Sequence, residues 1–301
     1  MQPPPRADVK VGFACNNHCV FCAQGEKRSK CGAIALDELV ERLADVRGDR
    51  SAARGLVLTG GEPMLHKNIL GLVRAAKALG FDPIQLQTNG RLLSYDKALQ
   101  AAIAAGVNEL SPSLHGSTAD VHDALTCAPG SFEQSRAGIA NAVATGLPVV
   151  TNSVVVRRNV DDLPALLSQL ADLGVRHAQL AFVHPVGTAI EKFEEVVPRL
   201  PEVSRSVARA REVADARGML LVTEAIPLCF LRGMEHLAVE EHIPDTTVVE
   251  LDGEVAAYSK WRTAEGKLHG PPCEGCSRRA RCEGPWREYP EAFGWGEFEP
   301  L

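Results

Sequence analysis

Three cysteines fall close together in the run C-N-N-H-C-V-F-C, at Cys15, Cys19 and Cys22, and an aromatic residue, Phe21, precedes the last of them. The spacing is C-x3-C-x2-C. Each corner iron of a four-iron cluster takes one sulfur from the protein, so three thiolates on one loop leave one iron open to a small molecule. The same loop serves a structural zinc if His18 or Cys31 supplies a fourth ligand. Further on, Gly60-Gly61-Glu62-Pro63 places two glycines beside a carboxylate. The glycines leave backbone open to a ligand, and the carboxylate can take an ammonium in a charge-assisted contact. Near the C-terminal end, Cys273, Cys276 and Cys282 stand as C-x2-C-x5-C, with Cys229 upstream. Four thiolates fill a four-iron cluster or the four positions of a zinc ribbon.

The cysteine loop, its aromatic and the Gly-Gly-Glu-Pro run together resemble the radical SAM superfamily. The resemblance implies that Cys15, Cys19 and Cys22 hold a [4Fe–4S] cluster whose open iron is chelated by the amino and carboxylate groups of S-adenosylmethionine. It implies that Phe21, Gly60, Gly61, Glu62 and Pro63 surround that cofactor, with Glu62 on the ammonium. Thr88, Asn89 and Ser113 match positions that bind its ribose or carboxylate, and Asn152 is a similar case on the next strand. Many relatives with auxiliary clusters place an arginine shortly after the fourth strand, near 122–125 here. None stands there, which leaves Arg136 or Arg157 as candidates for the carboxylate.

The tail cysteines resemble the centre of the SPASM/Twitch extension. The full SPASM pattern continues with C-x3-C, and that position is Trp286. Ligands for two auxiliary clusters are therefore absent. Cys229, Cys273, Cys276 and Cys282 suffice for one further [4Fe–4S] cluster in a shortened, Twitch-like extension, with a zinc ribbon as the alternative. Cys31 and Cys127 are expected to be spare thiols.

The resemblance implies an activity. The reduced first cluster cleaves S-adenosylmethionine to a 5′-deoxyadenosyl radical, which abstracts hydrogen from an unactivated C–H of a peptide or natural-product substrate. The alternative substrate is a small molecule, an aminocyclitol, sugar or nucleotide. A non-catalytic iron–sulfur or zinc sensor would have no use for Glu62 and the glycine pair. The reductant implied is a flavodoxin or ferredoxin. His115 and His184, each just after a strand, are the candidates for substrate contact or proton transfer, whereas His18 and His122 read as structural or solvated.

Composition agrees with this class. The 301 residues are 45% hydrophobic and 23% charged, enough for one large domain with an appendage. A net charge of −6, from 32 basic and 38 acidic residues, gives no footprint for nucleic acid or an anionic membrane surface. The opening residues lack an apolar signal region and no later stretch reaches the length of a membrane span, so a cytoplasmic protein is expected. Nine cysteines in that compartment read as metal ligands rather than disulfides.

The elements that must position these residues show a repeating order. Apolar runs at 9–14, 56–58, 84–86, 107–114, 149–156 and 178–183 read as strands, each followed by a helical pattern. Residues 36–46 carry helical spacing with Asp37 and Glu38 in the first turn, and Gly48 follows. Other candidate helices stop before Gly80, Gly106, Gly146, Gly174 and Gly218, where glycine takes the left-handed conformation without steric cost. Alternating β and α units imply a parallel sheet with right-handed crossovers. Periodicity leaves open whether the sheet is doubly wound or closed; the resemblance implies an α/β fold, a partial (β/α)6 barrel open on one side. Every polar motif falls at a C-terminal strand end, the rim where parallel α/β folds carry chemistry. About eight residues precede the first strand, and the pattern changes near 220, which divides the chain into a barrel, 1–220, and a small iron–sulfur extension, 221–301.

Overall fold

A computed structural model describes residues 4–30, 34–48, 52–250 and 253–301 of the chain. Cys31 lies outside them. Among these residues there are nine strands, the first seven alternating with helices: β1 Arg6–Lys10, β2 Gly55–Thr59, β3 Ile84–Thr88, β4 Glu109–Pro112, β5 Val150–Val155, β6 His177–Phe182, β7 Leu220–Glu224, β8 Thr246–Glu250 and β9 Gly253–Val255. The longer helices are α1 Leu36–Arg47, α2 Ile69–Ala78, α3 Asp96–Ala105, α4 Ala119–Thr126, α5 Ser131–Ala144, α6 Leu163–Asp172 and α7 Leu200–Ala216.

Hydrogen bonding orders the strands β9-β8-β1-β2-β3-β4 and β5-β6-β7, and bridges at Leu110 to Val149 and Ser113 to Asn152 join β4 to β5. Every pairing is parallel except the β8–β9 hairpin. The α/β partial barrel expected from the sequence is the fold observed. Strand one starts at Arg6 rather than Val9, because Arg6 to Val9 are the residues that pair with both β2 and β8. The tail, which carries only short secondary-structure signals, contributes β8 to the open flank of β1. The residue-220 division thus falls at the start of β7, and both β7 and β8 belong to the parallel sheet.

Side chains alternate across this sheet as strand geometry requires. On β5, Thr151, Ser153 and Val155 are fully buried against the helices, whereas Val150 and Asn152 face the lumen. The helices cover the outer face with apolar stripes: Leu163, Leu166, Leu167 and Leu170 of α6 follow the helical period and are all buried. Burying each such leucine contributes about 1.5–3 kcal/mol. Gly80, Gly106, Gly146, Gly174 and Gly218 have positive φ and end their helices as expected. Gly48 does not, at φ −76°, since the chain leaves α1 in an extended conformation.

Candidate active site

At the C-terminal rim, Cys15, Cys19 and Cys22 line a cavity of about 440 Å³. The same wall includes Phe21, Gly60, Gly61, Thr88, Asn89, Ser113, Asn152, His115 and His184. Residues far apart in sequence are gathered because each follows or ends a parallel strand. Glu62 and Pro63 are buried behind this wall and do not line it.

The cysteine loop is held from four sides. Backbone N–H groups of His18 and Val20 donate to the carbonyls of Thr126 and Leu125 at the end of α4. Arg91 Nη1 donates to the Asn16 carbonyl and, at 2.9 Å, to Asn17 Oδ1. Arg28 Nη2 donates to the Asn17 carbonyl, and Arg28 also lines the cavity. From beyond β6, the Thr188 hydroxyl donates to the Cys19 and Cys22 carbonyls at 3.2 Å each. The loop's geometry is therefore fixed before any ligand binds.

The glycine pair has a second reason to be glycine. A Cβ on Gly60 would overlap the Gly12 carbonyl, and one on Gly61 would overlap the backbone of Phe13 and Ala14. The two strand ends pack backbone to backbone, and Gly61 N–H donates to Gly12 O at 2.8 Å. Glu62 caps the turn that follows: its Oε1 accepts from Thr88 Oγ1 at 2.7 Å and from Met64 N–H at 3.0 Å, and its Oε2 from Asn89 N–H at 2.8 Å. Burial nevertheless holds its pKa above the usual carboxylate range, with the donors opposing.

Burial also raises the Cys15 and Cys19 thiols, Cys19 strongly, with the neighbouring thiols adding to it. A bound iron reverses that balance, since a coordinating thiol is deprotonated outright. Asn17 N–H points at Cys15 Sγ at 3.4 Å, a donor suited to a thiolate. Asn89 Nδ2 lies 3.8 Å from the same sulfur.

The two expected histidines both reach the cavity but are neutral rather than poised near pH 7. His115 is pushed down to about 3 by burial and by His122, and its Nδ1 accepts from Val154 N–H at 3.2 Å. His184 is pushed down to about 4 by burial and by Lys267. Both rings are thus favoured as neutral, His115 as a hydrogen-bond acceptor and His184 as a ring stacked on Trp286. His122 lies behind His115, its Nδ1 accepting the His115 backbone N–H, and His18 is exposed. Neither Arg136 nor Arg157 lines the cavity. Arg136 pairs with Glu133 on the surface of α5, and Arg157 donates to the Val197 carbonyl on an outer face.

In the tail, Cys229, Cys273, Cys276 and Cys282 line one apolar cleft. Burial and the three neighbouring thiols push Cys229 up to about 12, so the four sulfurs share a neighbourhood. Gly284 N–H points at Cys282 Sγ at 3.4 Å. Among the described residues no three His, Cys, Asp or Glu side chains surround a single-ion position; the fit rests on the donor chemistry, four thiols around one space. Cys127 is exposed and caps α4 in a left-handed conformation at φ 49°. The tail reaches the first cavity through Tyr258 and Trp286, which sequence spacing did not single out as site residues.

A profile of the radical SAM superfamily matches residues 9–170. The chain belongs to the radical SAM superfamily. This radical SAM enzyme is 32% identical over 196 residues to a probable GTP 3′,8-cyclase of Saccharolobus solfataricus, an alignment covering 64% of this chain and 61% of that one. It is 30% identical to an AdoMet-dependent heme synthase of Methanosarcina barkeri, over 61% of this chain and 52% of that one. The chain thus spans about three fifths of the first of these relatives, 61%. In structure it resembles Streptococcus suis SuiB bound to S-adenosylmethionine, with a TM-score of 0.66, 14% identity, and coverage of 94% of this chain and 72% of that one. At that identity the likeness is one of fold; it is membership of the superfamily that implies S-adenosylmethionine and a [4Fe–4S] cluster. No helix among the described residues is long and apolar enough to cross a membrane.

Proposed function

We propose that the chain reductively cleaves S-adenosylmethionine and abstracts hydrogen from an unactivated C–H of a peptide or natural-product substrate. The observation that carries this reading is the convergence on one cavity of the three loop thiols, the glycine turn and the polar ends of β3, β4 and β5. When bound, the cluster and S-adenosylmethionine supply a reductively generated 5′-deoxyadenosyl radical. The chain's own part is placement. Cys15, Cys19 and Cys22 hold the cluster. The backbone of Gly60 and Gly61 faces the methionyl part, with Glu62 and Pro63 bracing that turn from behind. Arg28, with no carboxylate partner among the described residues, supplies the cation for the cofactor carboxylate. Ser113, Asn152, Thr88 and Asn89 offer hydroxyl and amide groups to its polar edges. Phe21 and His115, edge to face at 4.9 Å, wall the site. Tyr258 and Trp286 cover the barrel's open side and keep water from the reacting atoms.

Residues 221–301 act as a Twitch-like extension on the barrel of 1–220, with a second [4Fe–4S] cluster at Cys229, Cys273, Cys276 and Cys282. A low-potential carrier of the flavodoxin or ferredoxin kind delivers the electron, in the cytoplasm. The name of the Saccharolobus relative favours a second reading, a nucleotide substrate in the same cavity.

The test is release of 5′-deoxyadenosine by the reconstituted, reduced protein, at least slowly without substrate. Changing Cys15, Cys19 or Cys22 to Ala should abolish it, and undiminished cleavage in any of the three would overturn the assignment. Stimulation by GTP rather than by peptides would select the second reading.

A further inference from the structure

Among the described residues one carboxylate stands on the wall of the S-adenosylmethionine cavity, Glu224 at the end of β7, and no sequence motif marks it. The same side chain borders a second space of about 750 Å³ in the barrel lumen. That space reaches down to Arg6, Glu109, Val150 and His177, the first residues of their strands. Its wall includes none of the loop thiols and neither Gly60 nor Gly61. Glu224 therefore stands where the cofactor cavity gives way to the lumen. The cavity wall's one cation, Arg28, donates instead to the Asn17 carbonyl of the cysteine loop.

The carboxylate is anchored without being used up. Its Oε1 accepts from Arg262 Nη1 at 3.2 Å and its Oε2 from Gln179 Nε2 at 2.6 Å. An ionised carboxylate accepts about four hydrogen bonds, and the side chain remains 28% exposed. The next residue, Ala225, holds a left-handed φ of 62° with its N–H on Glu240 Oε1 at 2.6 Å, which sets the strand end in one shape. The surrounding charges decide what Glu224 can receive. Arg262 also pairs with Glu283 at 2.6 Å, and Lys267 pairs with Glu283 at 3.0 Å and Glu240 at 3.7 Å. Two cations thus serve three carboxylates. Even with a proton on Glu240, whose pKa burial raises, no positive charge is left over. A phosphate or carboxylate at this point would meet like charge, whereas an N–H group meets an acceptor, most strongly when it is itself cationic.

We propose that Glu224 is a specificity-determining residue that accepts hydrogen bonds from an N–H-rich group of the substrate, an ammonium or an amidine-like N–H pair, held where the cofactor cavity meets the lumen. The inference rests on the radical chemistry proposed for this cavity. An amine-bearing peptide and a purine nucleotide both carry such a group, and the arms of the test distinguish them.

The test uses the reconstituted full chain saturated with S-adenosylmethionine, dialysed to equilibrium against two pairs of probes. One pair is an N-acetylated lysine tripeptide amide and its norleucine counterpart, which lacks the ammonium. The other is GTP and inosine triphosphate, which lacks the 2-amino group. The wild type should bind the donor-bearing member of one pair about tenfold or more tightly than its counterpart, the effect of a charge-assisted hydrogen bond, and that pair names the source. Glu224→Gln should erase the preference. Glu283→Gln removes a carboxylate from the same ion-pair network at a position off both cavity walls, and should keep it. A preference that survives in Glu224→Gln, or an equal loss in Glu283→Gln, would overturn the inference. So would a wild type with no preference in either pair, an outcome that does not depend on how well the variants fold. A matching loss of S-adenosylmethionine affinity in Glu224→Gln would give the carboxylate to the cofactor and also overturn it. Release of 5′-deoxyadenosine without substrate tests the underlying function separately: if it is present while the preference is absent, this inference alone fails.

Discussion

The Thr88 hydroxyl donates to Glu62 Oε1 at 2.7 Å and so ties the end of β3 to the turn after β2. With Met64 N–H and Asn89 N–H on the same carboxylate, Glu62 is a brace for the cavity wall. Its direct competence toward an ammonium is limited, because it is 2% exposed and absent from the lining. Glu62→Ala leaves three donors without an acceptor, and stranding such groups costs about 1–3 kcal/mol each before relaxation. The variant should lose about 3 kcal/mol of stability in urea unfolding and bind S-adenosylmethionine more weakly, with the cluster's visible absorption retained. Unchanged stability with lost cofactor affinity would restore the direct ammonium contact.

The buried histidines give stability a defined pH dependence. Burial, with Lys267 adding, lowers His184 to about 4, and burial, with His122 adding, lowers His115 to about 3. In the unfolded chain each titrates near 6.5, so below that pH the unfolded state binds more protons and stability falls. His184 alone accounts for roughly 3 kcal/mol by the time pH reaches its folded value. Glu62 acts in the opposite sense: its folded pKa is raised, so its contribution is present below its unfolded pKa and is lost as pH rises through the folded one. The urea midpoint should drop between pH 7 and pH 5, and His184→Gln should shrink the drop. A midpoint flat over that interval would show that neither ring is held neutral.

Much of this site is legible in the sequence because its signals are local. The cysteine spacing, the glycine pair and the strand-ending polar residues each lie within a few positions, and the β-then-α period carries all of them to one rim. What holds them there is not local. Arg91 and Thr188 clamp the cysteine loop by donating to backbone carbonyls, which leave no pattern in sequence. Arg28 reads as one more charge near a loop until its guanidinium is seen on the Asn17 carbonyl at the cavity wall. The orientation of Glu62 is equally hidden, since a carboxylate after two glycines can face a ligand or cap its own turn. β8 escapes for a related reason: Thr246 pairs with Arg6, and no short-range period announces such a contact.

The tail offers the sharpest test of the second metal site. Cys229 follows β7, and the C-x2-C-x5-C run lies over forty residues further along the sequence, yet all four thiols border one cleft. The approach is made by the hairpin of β8 and β9, which turns the chain back along the barrel before the run begins. A four-thiolate cluster has no open iron, so this site should bind no substrate and should instead staple the loops after β7 onto the parallel sheet, where Glu224 at the end of β7 pairs with Arg262. Iron and sulfide analysis of the reconstituted chain should give about eight irons, two four-iron clusters. Cys229→Ala should open one iron of the second cluster and make it labile to chelators, leaving about four irons bound at Cys15, Cys19 and Cys22 after chelation. Stoichiometric zinc in place of the second set of irons would turn the tail into a ribbon, and full iron retention in Cys229→Ala would remove Cys229 from the ligand set.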